Sequence, residues 1–152
     1  MGAKRALIKR HFEPIAGYDG PLPLRATAYS AGYDIAAAET VVIKPGNIAL
    51  IPTGIKVKLG RYEYLELVSR SSLPRKRHLV MPNSIGIIDS DYYPHEIMGQ
   101  FWNIGQVPAV INAGDRIMQG IFRSYLLTDN DAATGVRSGG FGSTDKENEG
   151  ND

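Results

Sequence analysis

The sequence predicts an all-β fold, a sandwich or a barrel, with one short helix and a polar C-terminal arm. Three observations carry this. Short runs rich in Val, Ile, Tyr and Phe recur along the chain, and such runs favour pleated backbone. Gly, Pro, Asn and Asp punctuate them at regular spacing, as in proteins built of many short strands. No long amphipathic helix pattern breaks the series. At 152 residues the chain has the length of one domain able to bury a core.

In order, a first strand is expected at 6–9. Residues 12–25 hold Pro14, Gly17, Gly20, Pro21 and Pro23 and read as an irregular connection. A tight turn over 27–32 feeds a strand that runs to 37. Strands follow at 41–43 and 48–51, joined by a turn at Pro45 and Gly46. Pro52-Thr53-Gly54 then turns into 55–59, where apolar and basic residues alternate as in a half-exposed strand. A further strand covers 62–68. Residues 70–77 give the helix: Ser71 or Ser72 can cap it, and Pro74 suits a first turn. Residues 83–93 read as a β-hairpin. Strands at 97–104, 107–111 and 117–125 complete the series. Residues 1–127 are thus expected to form the barrel domain. Residues 128–152, polar and nearly devoid of core-forming side chains, are expected to form a mobile arm.

Composition excludes several functions. Lys and Arg number 17 against 16 Asp and Glu, so there is no general field for nucleic acid. The absence of cysteine removes disulfides, thiolate catalysis and zinc–thiolate sites. His11, His78 and His95 have no metal-ligand spacing. No stretch reads as a membrane span or a signal peptide, so a soluble, cytoplasmic protein is expected.

Chemistry concentrates in two stretches. In 83–93, Ile85, Ile87 and Ile88 favour a strand, and Gly86 inside it marks a place where a ligand or another backbone approaches closely. Asp89 stands beside that opening, although aspartate is also common in ordinary turns. Backbone N–H and C=O groups there can read a base edge as a neighbouring strand would. In the arm, Arg137 and a glycine run enclose Phe141, followed by Ser143 and Thr144. Glycines let N–H groups wrap an anion, arginine pairs with phosphate, and an aromatic ring stacks on a base. A flexible tail has the same composition.

Five stretches, read together, resemble the five ordered motifs of the homotrimeric dUTP pyrophosphatase (dUTPase) family. They are Ala31-Gly32-Tyr33-Asp34-Ile35, Ser69-Arg70-Ser71-Ser72, Gly86 through Tyr92, Gly114-Asp115-Arg116-Ile117-Met118-Gln119, and Arg137 through Thr144. Departures are Ser69, where the family usually has proline, Pro94 near a frequent glycine, and Ser138 and Asp145 at frequent glycines of the arm. The resemblance implies a distorted jelly-roll β-barrel. It also implies a homotrimer with sites at subunit interfaces and an arm that closes over a neighbour's site.

The activity implied is hydrolysis of dUTP to dUMP and pyrophosphate, which clears dUTP from the nucleotide pool and supplies dUMP for thymidylate synthesis. A carboxylate must take a proton from water, and the resemblance assigns that general base to Asp89. Mg²⁺, held mainly by the triphosphate, is the implied cofactor. Asp34 either meets its waters or only fixes a turn. Gln119 falls at the α-phosphate or the water, or is a strand residue with a solvated amide. Arg70, Ser71 and Ser72 hold phosphates, as do Arg137, Gly142, Ser143 and Thr144 of the arm. Asn83 and backbone groups around Gly86 and Ile88 read uracil. Tyr92 lies against the sugar and excludes a 2′-hydroxyl, or packs in the core. Phe141 stacks on the base. Tyr93 and Trp102 read as packing residues. A deoxycytidine triphosphate deaminase shares parts of this pattern, but carries a glutamate where this chain has Phe101-Trp102-Asn103. A regulator that binds nucleotide without turnover is a third class, against which Asp89 speaks.

Overall fold

A computed structural model describes residues 9–141. Most of the strand expected at 6–9, and Gly142, Ser143 and Thr144 of the arm, lie outside the described residues. Eleven strands and one short α-helix follow one another: β1 His11–Pro14, β2 Tyr33–Ala36, β3 Val41–Ile43, β4 Ile48–Pro52, β5 Ile55–Lys58, β6 Glu63–Ser69, α1 Ser72–Arg77, β7 Leu79–Val80, β8 Gly86–Asp89, β9 Met98–Asn103, β10 Ala109–Ile111 and β11 Arg116–Ser124. All ladders are antiparallel. A four-stranded sheet runs β2-β11-β6-β8 and a three-stranded one β4-β9-β7, with the pairs β1-β5 and β3-β10 beside them.

Alternation explains why these segments are strands. Along β6 the side chains of Leu65 and Leu67 turn inward between partly exposed neighbours, and along β9 Gly99, Phe101 and Asn103 do the same. One face of each strand is therefore apolar and buried. Ile35, Leu65, Phe101, Ile111, Ile117 and Met118 are fully enclosed in a single core cluster. The one buried side-chain amide among the described residues, Asn103, is satisfied: its Nδ2 donates to the carbonyls of Ile43 and Val107, and its Oδ1 accepts from Gly105 N–H. No helix among the described residues is long and apolar enough to cross a membrane.

Two expectations change. The stretch expected to be irregular opens with β1, because Phe12 has ring partners in Tyr33 and Phe122, each with centroids 5.5 Å away. Pro14 ends that strand, where a missing N–H costs no ladder bond. The expected hairpin at 83–93 is a single strand between two turns. Ser84 takes a left-handed backbone (φ 66°), and its N–H donates to Met81 O, so the pleated run begins only at Gly86. After Asp89 the chain enters a 3₁₀ turn, Ser90–Tyr92, and the next strand is β9.

Candidate active site

The ladder partner of β8 is β6, with Leu67 opposite Gly86 and Tyr64 opposite Asp89. Its other edge has no ladder partner among the described residues. An edge strand presents unpaired N–H and C=O groups, and a base edge matches such a row. Beside β8 lies a pocket of about 200 Å³ lined by Asn83, Gly86, Ile87, Ile88, Asp89 and Tyr92, together with Leu67, Met81, Met98, Gln100, Arg137, Gly140 and Phe141. Gly86 lines the opening, but its lack of a side chain answers to the core. A Cβ there would fall 3.0 Å from Leu67 Cβ and 3.1 Å from its Cδ1.

Tyr92 gives the pocket a wall. Its hydroxyl donates to Glu96 O at 2.9 Å, and burial pushes its phenol up from the ordinary value. Gly140 of the arm rests on the ring so closely that a Cβ would lie 2.6 Å from Cε2. Arg137 reaches across: its Nε donates to Asp91 Oδ1 at 2.8 Å and its Nη2 donates to the carboxylate of Asp89. The hydrogen bond to Asp91 leads in raising the Arg137 guanidinium above its ordinary pKa, and Asp89 adds to it. In this structure the arm therefore lies on the chain's own pocket, with Arg137 on two carboxylates. A neighbour's site and a phosphate were the expected contacts.

A second cluster stands at the far end of the same sheet. Asp34 on β2 lies opposite Gln119 on β11. Its carboxylate, 9% exposed, faces Arg116 Nη1 at 3.1 Å and Arg70 Nε at 3.6 Å. Gln119 folds over Gly32, where a Cβ would meet its Oε1 at 2.7 Å. Arg70 follows β6 directly, with its N–H bonded to Ile117 O. Ser71 occupies the position before α1, and its hydroxyl makes no capping bond. The helix was expected to be capped by Ser71 or Ser72; the backbone at Ser71 is already helical (φ −56°, ψ −24°), which turns its hydroxyl away from the first N–H groups.

The two clusters do not meet within one chain. On β6, Tyr64 marks the level of Asp89 and Val68 that of Gln119, four residues apart or about 13 Å at about 3.3 Å each. The strands β8 and β11 also flank β6, which adds two strand spacings, about 10 Å. Asn83, Gly86, Ile88, Asp89, Tyr92, Arg137 and Phe141 thus share one half, and Asp34, Arg70, Ser71, Ser72 and Gln119 the other.

Sequence reasoning missed Asp91 and the pocket residues Leu67, Met81, Met98 and Gln100. The signal for two of these was present: Met98 and Gln100 alternate along β9 with the inward Gly99 and Phe101. The polar side chain that β9 offers the pocket is accordingly Gln100, a neutral amide. The buried Asn103 is spent on the core.

Comparison with known proteins shows the family. The family model described as dUTPase matches residues 18–145. A deoxyuridine 5'-triphosphate nucleotidohydrolase of Lactococcus lactis is 44% identical over 145 residues, covering 89% of this chain and 97% of the relative. One from Ectopseudomonas mendocina is 37% identical, covering 90% and 95%. The crystal structure of the dUTPase from Streptococcus mutans superposes with a TM-score of 0.76 at 44% identity, covering 78% of this chain and 98% of that one. With a matching family model over most of its length and relatives this similar, the chain belongs to the dUTPase family.

Proposed function

We infer that this chain hydrolyses dUTP to dUMP and pyrophosphate, reading uracil along β8 and using Asp89 as general base. The observation that carries this reading is the pocket itself, which joins an unpaired strand edge, a carboxylate and two aromatic rings. Uracil offers an acceptor, a donor and an acceptor to a strand edge. Cytosine reverses the pattern at two positions and leaves buried groups facing like groups, which discriminates strongly. Asn83 sits at the mouth to complete the set, and Tyr92 presents its ring to the sugar where a 2′-hydroxyl would stand. Gln100 is a neutral amide and cannot serve as the acid–base group that deamination needs.

Asp89 accepts a proton from a water aligned on the α-phosphorus, with pyrophosphate leaving in line. Arg70, Ser71 and Ser72 hold the phosphates, Gln119 orients the α-phosphate or the water, and Arg116 braces Asp34. Magnesium dependence is a general property of the dUTPase family, and a staphylococcal phage dUTPase of the same fold has been solved with a structural Mg(II) ion. The residues present fit a cation brought in by the triphosphate. Asp34 would offer carboxylate oxygens to help hold it, beside two guanidiniums that draw in phosphate. Bound there, the ion neutralises charge on the phosphate oxygens.

The separation of the two clusters supports a site completed by a second copy of the chain, in a homotrimer. The arm then leaves its own pocket as Arg137 exchanges Asp89 and Asp91 for phosphate, and Phe141 covers the base. The substrate belongs to the intracellular nucleotide pool, which fits a cytoplasmic protein. The test is pyrophosphate release from dUTP, dCTP, dTTP and UTP, with and without Mg²⁺. Release confined to dUTP and dependent on the metal is expected, and ammonia from dCTP refutes the reading. Light scattering checks the assembly, and a fully active monomer overturns it.

A further inference from the structure

Tyr93 follows Tyr92, yet the two side chains have different surroundings. Tyr92 lines the pocket. Tyr93 meets β1 and β5, where its hydroxyl donates to Glu13 Oε2 at 3.0 Å. Glu13 is opposite Lys56 in the β1–β5 register, and Lys56 Nζ stands 3.4 Å from the same Oε2. The other carboxylate oxygen faces His11 Nε2 at 2.6 Å. Lys56 and Lys58 also lie over the Tyr93 ring, 5.2 and 5.5 Å from its centroid. Both Glu13 oxygens are therefore occupied. Hydrogen bonds from His11 and then Tyr93 hold Glu13 below the ordinary carboxylate pKa, so it is an ionised acceptor at neutral pH.

The rest of the connection between Asp89 and β9 is anchored beyond Tyr93. Glu96 Oε1 accepts from Gly54 N–H at 2.7 Å, and Ile97 N–H donates to Ile55 O at 2.8 Å. Inside the 3₁₀ turn, Asp91 is tied to Arg137 of the arm, a contact that ligand binding is expected to break. Once the arm leaves, residues 90–93 keep two side-chain hydrogen bonds among the described residues: Tyr92 to Glu96 O within the connection, and Tyr93 to Glu13 on β1.

We propose that Tyr93 is a positioning residue for sugar selection: its bond to Glu13, set by His11 and Lys56, anchors to β1 the turn that carries the Tyr92 ring, while Glu96 O holds the Tyr92 hydroxyl, and the two together set the space left at the ribose 2′ carbon. This rests on the reading of Tyr92 against the sugar. Loss of the bond lets the turn shift outward, so that dUTP loses contact and UTP gains room.

The test compares kcat and KM for dUTP and UTP, in the presence of Mg²⁺, for wild type, Tyr93→Phe, Glu13→Ala, Glu13→Gln, Tyr92→Ala and the Tyr93→Phe/Glu13→Ala double variant. Tyr93→Phe keeps the ring under the lysines and removes only the donor. It is expected to raise KM for dUTP with little change in kcat and to cut the dUTP-to-UTP ratio of kcat/KM roughly tenfold, the scale of one charge-assisted hydrogen bond. Glu13→Ala does the same. The double variant is no worse than either single one, and Glu13→Gln, which retains an acceptor oxygen, restores the ratio. A purely structural role lowers activity on both nucleotides alike and leaves the ratio unmoved. If Tyr92→Ala collapses the ratio and Tyr93→Phe does not, the positioning role is refuted and the reading of Tyr92 survives. If Tyr92→Ala leaves the ratio intact, both fall.

Discussion

Replacing Asp89 by Asn separates chemistry from binding. The side chain stands at the end of β8, 48% exposed, and its polar partner is Arg137 of the arm. Neutralising it disturbs one exposed ion pair, an interaction worth about 0.2–1 kcal/mol. The barrel's own stability is expected to move by less than about 0.5 kcal/mol, as for a surface change. Removing a general base costs on the order of 10²–10⁴ in rate, or about 2.7–5.4 kcal/mol in the barrier. Turnover at saturating dUTP, followed as pyrophosphate release, is therefore expected to fall by that factor while the thermal midpoint holds. Affinity for the non-hydrolysable analogue dUpNHpp, measured by titration calorimetry, is expected to stay equal or tighten, because Arg137 is released from one of its two carboxylates. Turnover within tenfold of wild type means that another group activates the water. Equal loss of turnover and binding means that Asp89 holds the substrate and does not move the proton.

Gly86→Ala forces a methyl against Leu67, which is buried in the core. The unfolding free energy is expected to drop by about 1–3 kcal/mol, read by urea unfolding. Deleting the chain from Gly135 removes the Arg137 pairs with Asp89 and Asp91 and the Gly140 contact with Tyr92, none of which reaches the core. The thermal midpoint is expected to hold while turnover falls sharply, and Phe141→Ala in the full chain is expected to weaken nucleotide binding by about 1–3 kcal/mol; undiminished turnover in the truncated protein shows the arm to be only a tail. Stability is expected to fall in acid through Glu63, whose pKa the Arg10 hydrogen bond holds below the ordinary carboxylate value. A depressed folded pKa stabilises above the unfolded value and is lost as pH falls through the folded one, so the urea midpoint drops below about pH 4 and Glu63→Gln flattens that part of the profile.

Most of the strands were legible because alternation and turn residues act locally. Residues 55–59 show their half-exposed pattern in the letters, and β5 has it in the structure. The helix start at Ser71 and Pro74 was likewise readable. What escaped depends on partners distant in sequence. β1 forms inside a stretch full of glycine and proline because Phe12 finds Tyr33 and Phe122 on the four-stranded sheet, contacts that no local window contains. The apparent hairpin failed for a similar reason: Gly86 through Asp89 pair with β6, about twenty residues earlier, and not with the residues that follow. The glycine suggested a ligand, whereas the atom that excludes a Cβ belongs to Leu67. Motif order placed the site residues in sequence and left their distances unstated, so the separation of Asp89 from Gln119 appears only once the register of β6 is known.

That separation decides a last experiment. A general base works within hydrogen-bond reach, about 2.6–3.2 Å, of the water it deprotonates. Asp89, assigned to the attacking water, and Gln119, assigned to the α-phosphate or that water, stand four residues apart along β6 and on opposite sides of it. No rotamer of an aspartate and a glutamine closes a gap of about 16 Å, the diagonal of four residue rises and two strand spacings. If each site takes Asp89 from one copy and Arg70 with Gln119 from the next, two inactive variants complement one another. Asp89→Asn and Arg70→Ala are mixed in equal amounts, unfolded and refolded together. In a ring with random assortment, half of the sites receive an intact Asp89, and half of those an intact Arg70, so roughly a quarter of wild-type activity is expected to return. Each variant refolded alone is expected to stay inactive, and mixing without unfolding is expected to restore less. If the jointly refolded mixture shows only the sum of the two variants, the site lies within one chain, and the sheet must rearrange to bring its two ends together.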